Sequence, residues 1–145
     1  METKPFSGTE DALTEKIIGV FYQVFNELGY GFAELVYRKA MAIALSQSRL
    51  NVAMEVSVPV TFRDEVVGVF RCDLMVERKV ILELKIADQI SKAFEAQLLH
   101  YLKASPVEVG LILSFGQAPK FRRMEFRNDR KRAATVNAPI PPFSL

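Results

Sequence analysis

Apolar residues recur at helical spacing from Leu13 through Ile17, Val20, Phe21, Val24 and Phe25 to Leu28, which predicts a first helix with one apolar stripe. It should begin near Thr9, with Thr9 or Ser7 as the N-cap and Glu10 and Asp11 in the first turn. Gly29 supplies a left-handed stop, closely followed by Gly31. A second, alanine-rich helix is expected from Phe32 to Arg49, with apolar positions Leu35, Val36, Met41, Ile43, Ala44 and Leu45. The period then changes. Val52–Phe62 and Val66–Val76 read as strands joined by the turn Arg63-Asp64-Glu65, and Glu77-Arg78-Lys79 leads into a third strand, Val80–Ile86. Pro59 puts the first of these strands at a sheet edge or on a bulge. Helical spacing returns over Ser91–Lys103 through Phe94, Gln97, Leu98, Tyr101 and Leu102. After Pro106, the nearly continuous apolar run Val107–Phe115 marks a buried strand, and Phe121–Phe126 adds an outer one.

This order of elements predicts an α/β fold with a mixed sheet: antiparallel hairpins first, then a crossover helix that brings in a parallel strand. Residues 1–9 read as a leader, 10–127 as a single domain, and 128–145 as a tail, basic at first and then proline-containing. A chain of 145 residues, half of them hydrophobic and a quarter charged, can bury one ordinary core; this composition excludes disordered, collagen-like and disulfide-scaffold classes. The single cysteine, Cys72, suits a reducing compartment and falls on an apolar strand face as a buried small residue. No signal-peptide-like or membrane-spanning run is present, so a soluble cytoplasmic protein without a membrane partner is expected.

The net charge of +2 says little, but its distribution says more. Seven cations against two acids between Gln117 and Arg132 give that segment +5 and leave −3 elsewhere. Lys120, Arg122, Arg123 and Arg127 are therefore candidate phosphate contacts, although a solvated strand and a charged tail would look the same.

Chemistry concentrates on the second hairpin. With Arg78 at the centre of its turn, Asp73 opposes Glu83 and Arg71 opposes Lys85, so the four share a sheet face with Met75 and Ile81. The other face collects Phe70, Cys72, Leu74, Val76, Val80, Leu82, Leu84 and Ile86, and must be core. Two opposed carboxylates repel each other unless something positive lies between them. Mg²⁺ answers this need, with Lys85 beside it to orient water or stabilise a phosphate; a surface ion-pair cluster with Lys85 and Arg71 is the alternative. Two helical pairs add polar groups of the kind a phosphodiester site uses: Gln97 with Tyr101, and Glu34 with Tyr37. His100, the only histidine, is expected on the helix surface, since it has no partners for a zinc site.

Gly31-Phe32-Ala33-Glu34-Leu35-Val36-Tyr37 resembles the signature of the GxxExxY proteins. Asp73 followed across a hairpin by Glu83-Leu84-Lys85 is similar to the D…(D/E)xK motif of the PD-(D/E)XK nuclease superfamily, and Gln97-Leu98-Leu99-His100-Tyr101 to the QxxxY motif of its exonuclease-like branch. Cys72 stands where the superfamily's name expects proline. The resemblance implies a restriction-endonuclease-like αβββαβ core with an extra N-terminal helix. It implies Asp73 and Glu83 as metal ligands, the Leu84 carbonyl and Glu34 as further ligand candidates, Lys85 as the catalytic lysine, and Gln97 and Tyr101 as positioning groups. Arg71 joins Lys120, Arg122, Arg123 and Arg127 as a nucleic-acid contact. The activity implied is Mg²⁺-dependent nuclease chemistry, with Mn²⁺ able to substitute, on DNA ahead of RNA. The alternative is a non-catalytic nucleic-acid-binding or interaction module. So small a core leaves room for a homodimer or a partner protein to assist in substrate selection.

Overall fold

A computed structural model describes residues 9–131, so the leader up to residue 8, the candidate cap Ser7 within it, and the proline-containing end of the tail lie outside the described residues. The elements are α1 (Asp11–Leu28), α2 (Glu34–Gln47), β1 (Val52–Phe62), β2 (Glu65–Val76), β3 (Val80–Lys85), α3 (Lys92–Ala104), β4 (Val109–Phe115) and β5 (Pro119–Glu125), followed by a 3-10 turn at Asn128–Arg130. The strands form one five-stranded sheet in sequential order, β1-β2-β3-β4-β5. Every neighbouring pair is antiparallel except β3 and β4, which α3 connects in parallel. The fold is the mixed α/β arrangement expected from the sequence, with α1 ahead of the αβββαβ succession. No helix among the described residues is long and apolar enough to cross a membrane.

Two cores sandwich the sheet. On one face α1 contributes Ile17, Val20, Phe21 and Val24, and α2 contributes Tyr37, Met41 and Leu45, packed on Leu74, Val76, Leu82, Leu84, Leu111 and Leu113. On the other face α3 lays Leu98, Tyr101 and Leu102 against Met75, Ile81 and Ile112. The α1 stripe is the one the periodicity predicted. The α2 stripe is narrower than expected: Leu35, Val36 and Ile43 are exposed, because Tyr37, Met41 and Leu45 at four-residue spacing already fill the contact. The α1 cap also differs, with Glu10 at the N-cap position in a left-handed conformation and no side-chain cap. By contrast, Ser91 caps α3 by accepting the Phe94 N–H.

Both hairpin turns use paired left-handed residues, Arg63 with Asp64 and Glu77 with Arg78, whose twist matches that of the flanking strands. Pro59 sits on β1, an edge strand, as its chemistry requires. One irregularity interrupts β1. Glu55, in the middle of β1, has φ 54°. On one side of it the pair Met54–Leu74 belongs to the α1/α2 core, and on the other Val56–Cys72 belongs to the α3 core. Regular alternation would keep those pairs on one face. The expectation that Phe70 and Cys72 share a face with Leu74 is thus corrected: the twist at Glu55 and Asp73 exchanges the faces of the hairpin.

Candidate active site

The β2–β3 register is the one anticipated, with Leu74 opposite Leu82, Met75 opposite Ile81 and Val76 opposite Val80. Pairing stops there. At Asp73 the strands part, and two reciprocal bonds replace the ladder. The Leu84 N–H donates to Asp73 Oδ2 at 2.8 Å, and the Asp73 N–H donates to Glu83 Oε2 at 3.1 Å. Each acid is thus oriented by the backbone of the opposite strand. The fork also opens the sheet to both of its sides, so α2 from one face and α3 from the other reach the same spot.

From α3, Gln97 and Tyr101 meet Lys85. The ammonium of Lys85 donates to Gln97 Oε1 at 2.9 Å and lies 4.7 Å from the centre of the Phe94 ring. The Gln97 amide in turn donates to the Tyr101 hydroxyl at 2.9 Å, and the Tyr101 ring stacks on Phe70 at 4.1 Å. The spacing of four on one helix produces this relay directly. From α2, Glu34 grips Arg38 one turn on through two bonds. The Arg38 guanidinium also bonds Glu55 at 2.5 Å and stands 3.7 Å from Asp73.

Arg38 and Glu55 were not singled out from the sequence. The signal for Arg38 was there, since it follows Glu34 at helical i,i+4 spacing. Glu55 gave none, because its role depends on the left-handed backbone. Tyr37, by contrast, leaves the site: it is fully buried, stacks on Phe115 at 4.1 Å, and donates its hydroxyl proton to the Gly29 carbonyl. The GxxExxY signature therefore divides its labour. Gly31 adopts φ 113°, Glu34 holds Arg38, and Tyr37 anchors the loop.

The electrostatics are those of a crowded acidic site. Burial, and then the charge of Asp73, push the Glu83 carboxyl up to about 8, against the pull of the Asp73 N–H and Lys85. Burial likewise raises Asp73, opposed chiefly by the Leu84 N–H. The bond to Glu34 leads the effects that raise Arg38, and burial raises Tyr101. Cys72 is buried, with its thiol pushed up to about 12 by desolvation, and is an inert core residue as expected. His100 lies on the exposed face of α3.

A hard divalent cation fits the Asp73–Glu83 pair. These are adjacent oxygen donors, buried enough that their mutual repulsion costs more than in water, and fixed by backbone N–H groups. Among the described residues no group of three acidic, histidine or cysteine side chains converges as a ready-made metal cluster. Glu34 is turned to Arg38 rather than to the pair.

The expected phosphate contacts are dispersed. Arg71 does not oppose Lys85, because β2 has left β3 by that point; it pairs with Ser57 on β1 and stands 3.6 Å from Glu55. Lys120 lies in one cross-strand row with Ser114 and Lys85, and Arg122 in one row with Ile112 and Glu83. Two strand spacings, about 10 Å, separate these cations from the site. Arg122 is held by Glu95 of α3. Arg123 is a correction. Its side chain is 6% exposed and ties α1 to β5 through Asp11, the Thr9 carbonyl and Glu125, so it is a structural cation. Arg127 is exposed beside Asp129.

A family model described as the PD-(D/E)XK nuclease superfamily matches residues 11–125. Among solved structures, the crystal structure of SSO0001 is similar, with a TM-score of 0.50 and 17% identity. The match covers 83% of this chain and 60% of that one, so at this identity it speaks for the fold alone. No curated protein matches the sequence. With its forked hairpin carrying Asp73 and Glu83-Leu84-Lys85, and a family match over nearly all the described residues, this chain belongs to the PD-(D/E)XK nuclease superfamily.

Proposed function

We propose that the protein is a metal-dependent nuclease that hydrolyses phosphodiester bonds, with DNA as its substrate ahead of RNA. The observation that carries this reading is the reciprocal locking of Asp73 and Glu83 beside the Lys85–Gln97–Tyr101 relay. Asp73 and Glu83 would hold Mg²⁺ or Mn²⁺, with the Leu84 carbonyl and Glu34 as further donors. A bound cation of this kind polarises a phosphoryl oxygen and acidifies a water. Lys85 brings a positive charge to the non-bridging oxygens as negative charge develops there. Gln97 fixes the direction of that ammonium, and Tyr101 fixes Gln97. Lys120 and Arg122, on the same sheet face as Lys85 and Glu83, contact flanking phosphates, as does Arg71 from the hairpin.

One observation favours a second reading. Arg38 already brings positive charge to Glu34, Glu55 and Asp73, as a non-catalytic nucleic-acid-binding module would require to keep the fold without a metal. A Mn²⁺-supported cleavage assay on single-stranded, duplex and branched DNA and RNA separates the two. Cleavage that disappears in Lys85→Ala is the expected result. Equal cleavage by wild type and variant, or none by either, would sink the enzyme reading.

A further inference from the structure

A cleft of about 290 Å³ opens at the C-terminal ends of the parallel strands β3 and β4, lined by Tyr30, Phe32, Ile86, Asp88, Gly116 and Gln117 among others. Its lining comes from the same two chain segments as the proposed site, since Ile86 follows Lys85 and Phe32 precedes Glu34 by two residues. Tyr30 is 62% exposed and Phe32 is 45% exposed, an unusual concentration of aromatic surface for one short loop. The loop is held in place. Gly29 and Gly31 take φ 73° and 113°, and the buried Tyr37 hydroxyl receives the Phe32 N–H and donates to the Gly29 carbonyl. On the opposite wall Asp88 accepts the Gln117 N–H at 2.8 Å. Gly116 lies so close to the Ala87 carbonyl that a Cβ would stand 2.4 Å from it. The walls are thus preformed, and binding would cost little ordering of the protein.

We infer that this cleft takes one unstacked nucleobase of the substrate strand, next to the phosphate that is cut, and so selects single-stranded or locally melted nucleic acid. The inference rests on the nuclease reading for its position along the strand. The chemistry of the lining argues for a base rather than a phosphate. No lysine or arginine lines the cleft, and Asp88 would repel an anion. Aromatic rings offer a stacking platform to any base, while Asp88 and Gln117 can meet the amino and carbonyl groups of its edge. The volume is at the small end of ligand sites and suits one ring system rather than a base pair. A paired base inside a duplex has no free face to present, so entry requires it to leave the stack.

The test uses the full chain carrying Lys85→Ala, so that bound strands stay intact. Fluorescence anisotropy is read with a short single strand, the same strand with abasic sites, and its duplex. Tyr30→Ala with Phe32→Ala should weaken single-strand binding by about five- to a hundredfold, the range that stacking on one base supports. Binding of the abasic strand should not change, and Tyr30→Phe should retain wild-type affinity because the ring remains. A circular dichroism melt checks that the double variant is folded; if it is not, Tyr30→Ala alone, at an exposed position, carries the comparison. Undiminished binding by the folded ring variant, equal affinity for the abasic strand, preference for the duplex, or no binding to any strand would overturn the inference. Cleavage by the Lys85-intact protein is read separately. Ring-dependent binding without cleavage would remove the nuclease reading and leave the cleft. Lys85-dependent cleavage that ignores the rings would remove the cleft alone.

Discussion

Replacing Glu83 with glutamine should reveal how much stability the acid pair costs the protein in the absence of a cation. Glu83 is 4% exposed, and burial together with the Asp73 charge carries its carboxyl from 4.5 to about 8. In the unfolded chain it ionises near the lower value, while in the folded chain it keeps its proton. Between the two the unfolded state binds fewer protons, so stability falls as pH rises, and it is fully present only below the unfolded value. The slope approaches about 1.4 kcal/mol per pH unit, and the whole window is worth at most about 5 kcal/mol. Glu83→Gln keeps an oxygen to accept the Asp73 N–H and removes the titration. Urea unfolding in chelator, from about pH 5 to about pH 9, measures both; with a slope near 2 kcal/mol per molar, the wild-type midpoint should drop by roughly 2 M more than the variant's. Asp73, also raised by burial, leaves a residual slope in the variant, so the difference between the curves is the reading. Adding Mg²⁺ should flatten the wild-type curve, because a cation favours the ionised pair. Parallel curves for the two proteins would refute the electrostatic account of the site.

Other outcomes follow from the same geometry. Lys85→Ala and Asp73→Ala should remain folded and each lose at least about a hundredfold in metal-supported cleavage, measured at saturating strand; retained cleavage would show the assignment of these residues to be wrong. Arg123→Met should destabilise by about 3 kcal/mol, because it leaves Asp11 and Glu125 without their buried cation, and a thermal melt that does not move would contradict the structural role. Gly116→Ala places a methyl group against the Ala87 carbonyl and the Asp88 side chain, and should cost about 2 kcal/mol in urea unfolding.

Placing Arg78 at the centre of the turn was enough to set the β2–β3 register and bring Asp73, Glu83 and Lys85 together, because the turn fixes which residues of a hairpin oppose each other. Helical spacing likewise placed Gln97 and Tyr101 on one line, and the order of elements implied the parallel crossover. Residue types in local sequence report which side of an element is buried where one stripe is clearly apolar, as on α1, and less well on α2, where Leu35, Val36 and Ile43 are exposed. What they do not report is where the sheet twists. The left-handed Glu55 carries no signature, since glycine or asparagine is the usual occupant of that backbone region. Yet it moves Phe70 and Cys72 to the α3 core, takes Arg71 away from Lys85, and opens the fork through which α2 and α3 both reach the acids. Nor could a run of arginines say which one would be buried. Arg122 and Arg123 are neighbours in sequence, but strand alternation points one toward α3 and the other toward the start of α1, more than a hundred residues away in the chain. Tertiary contact decided between them, because a charge can be buried only where a distant partner is there to meet it.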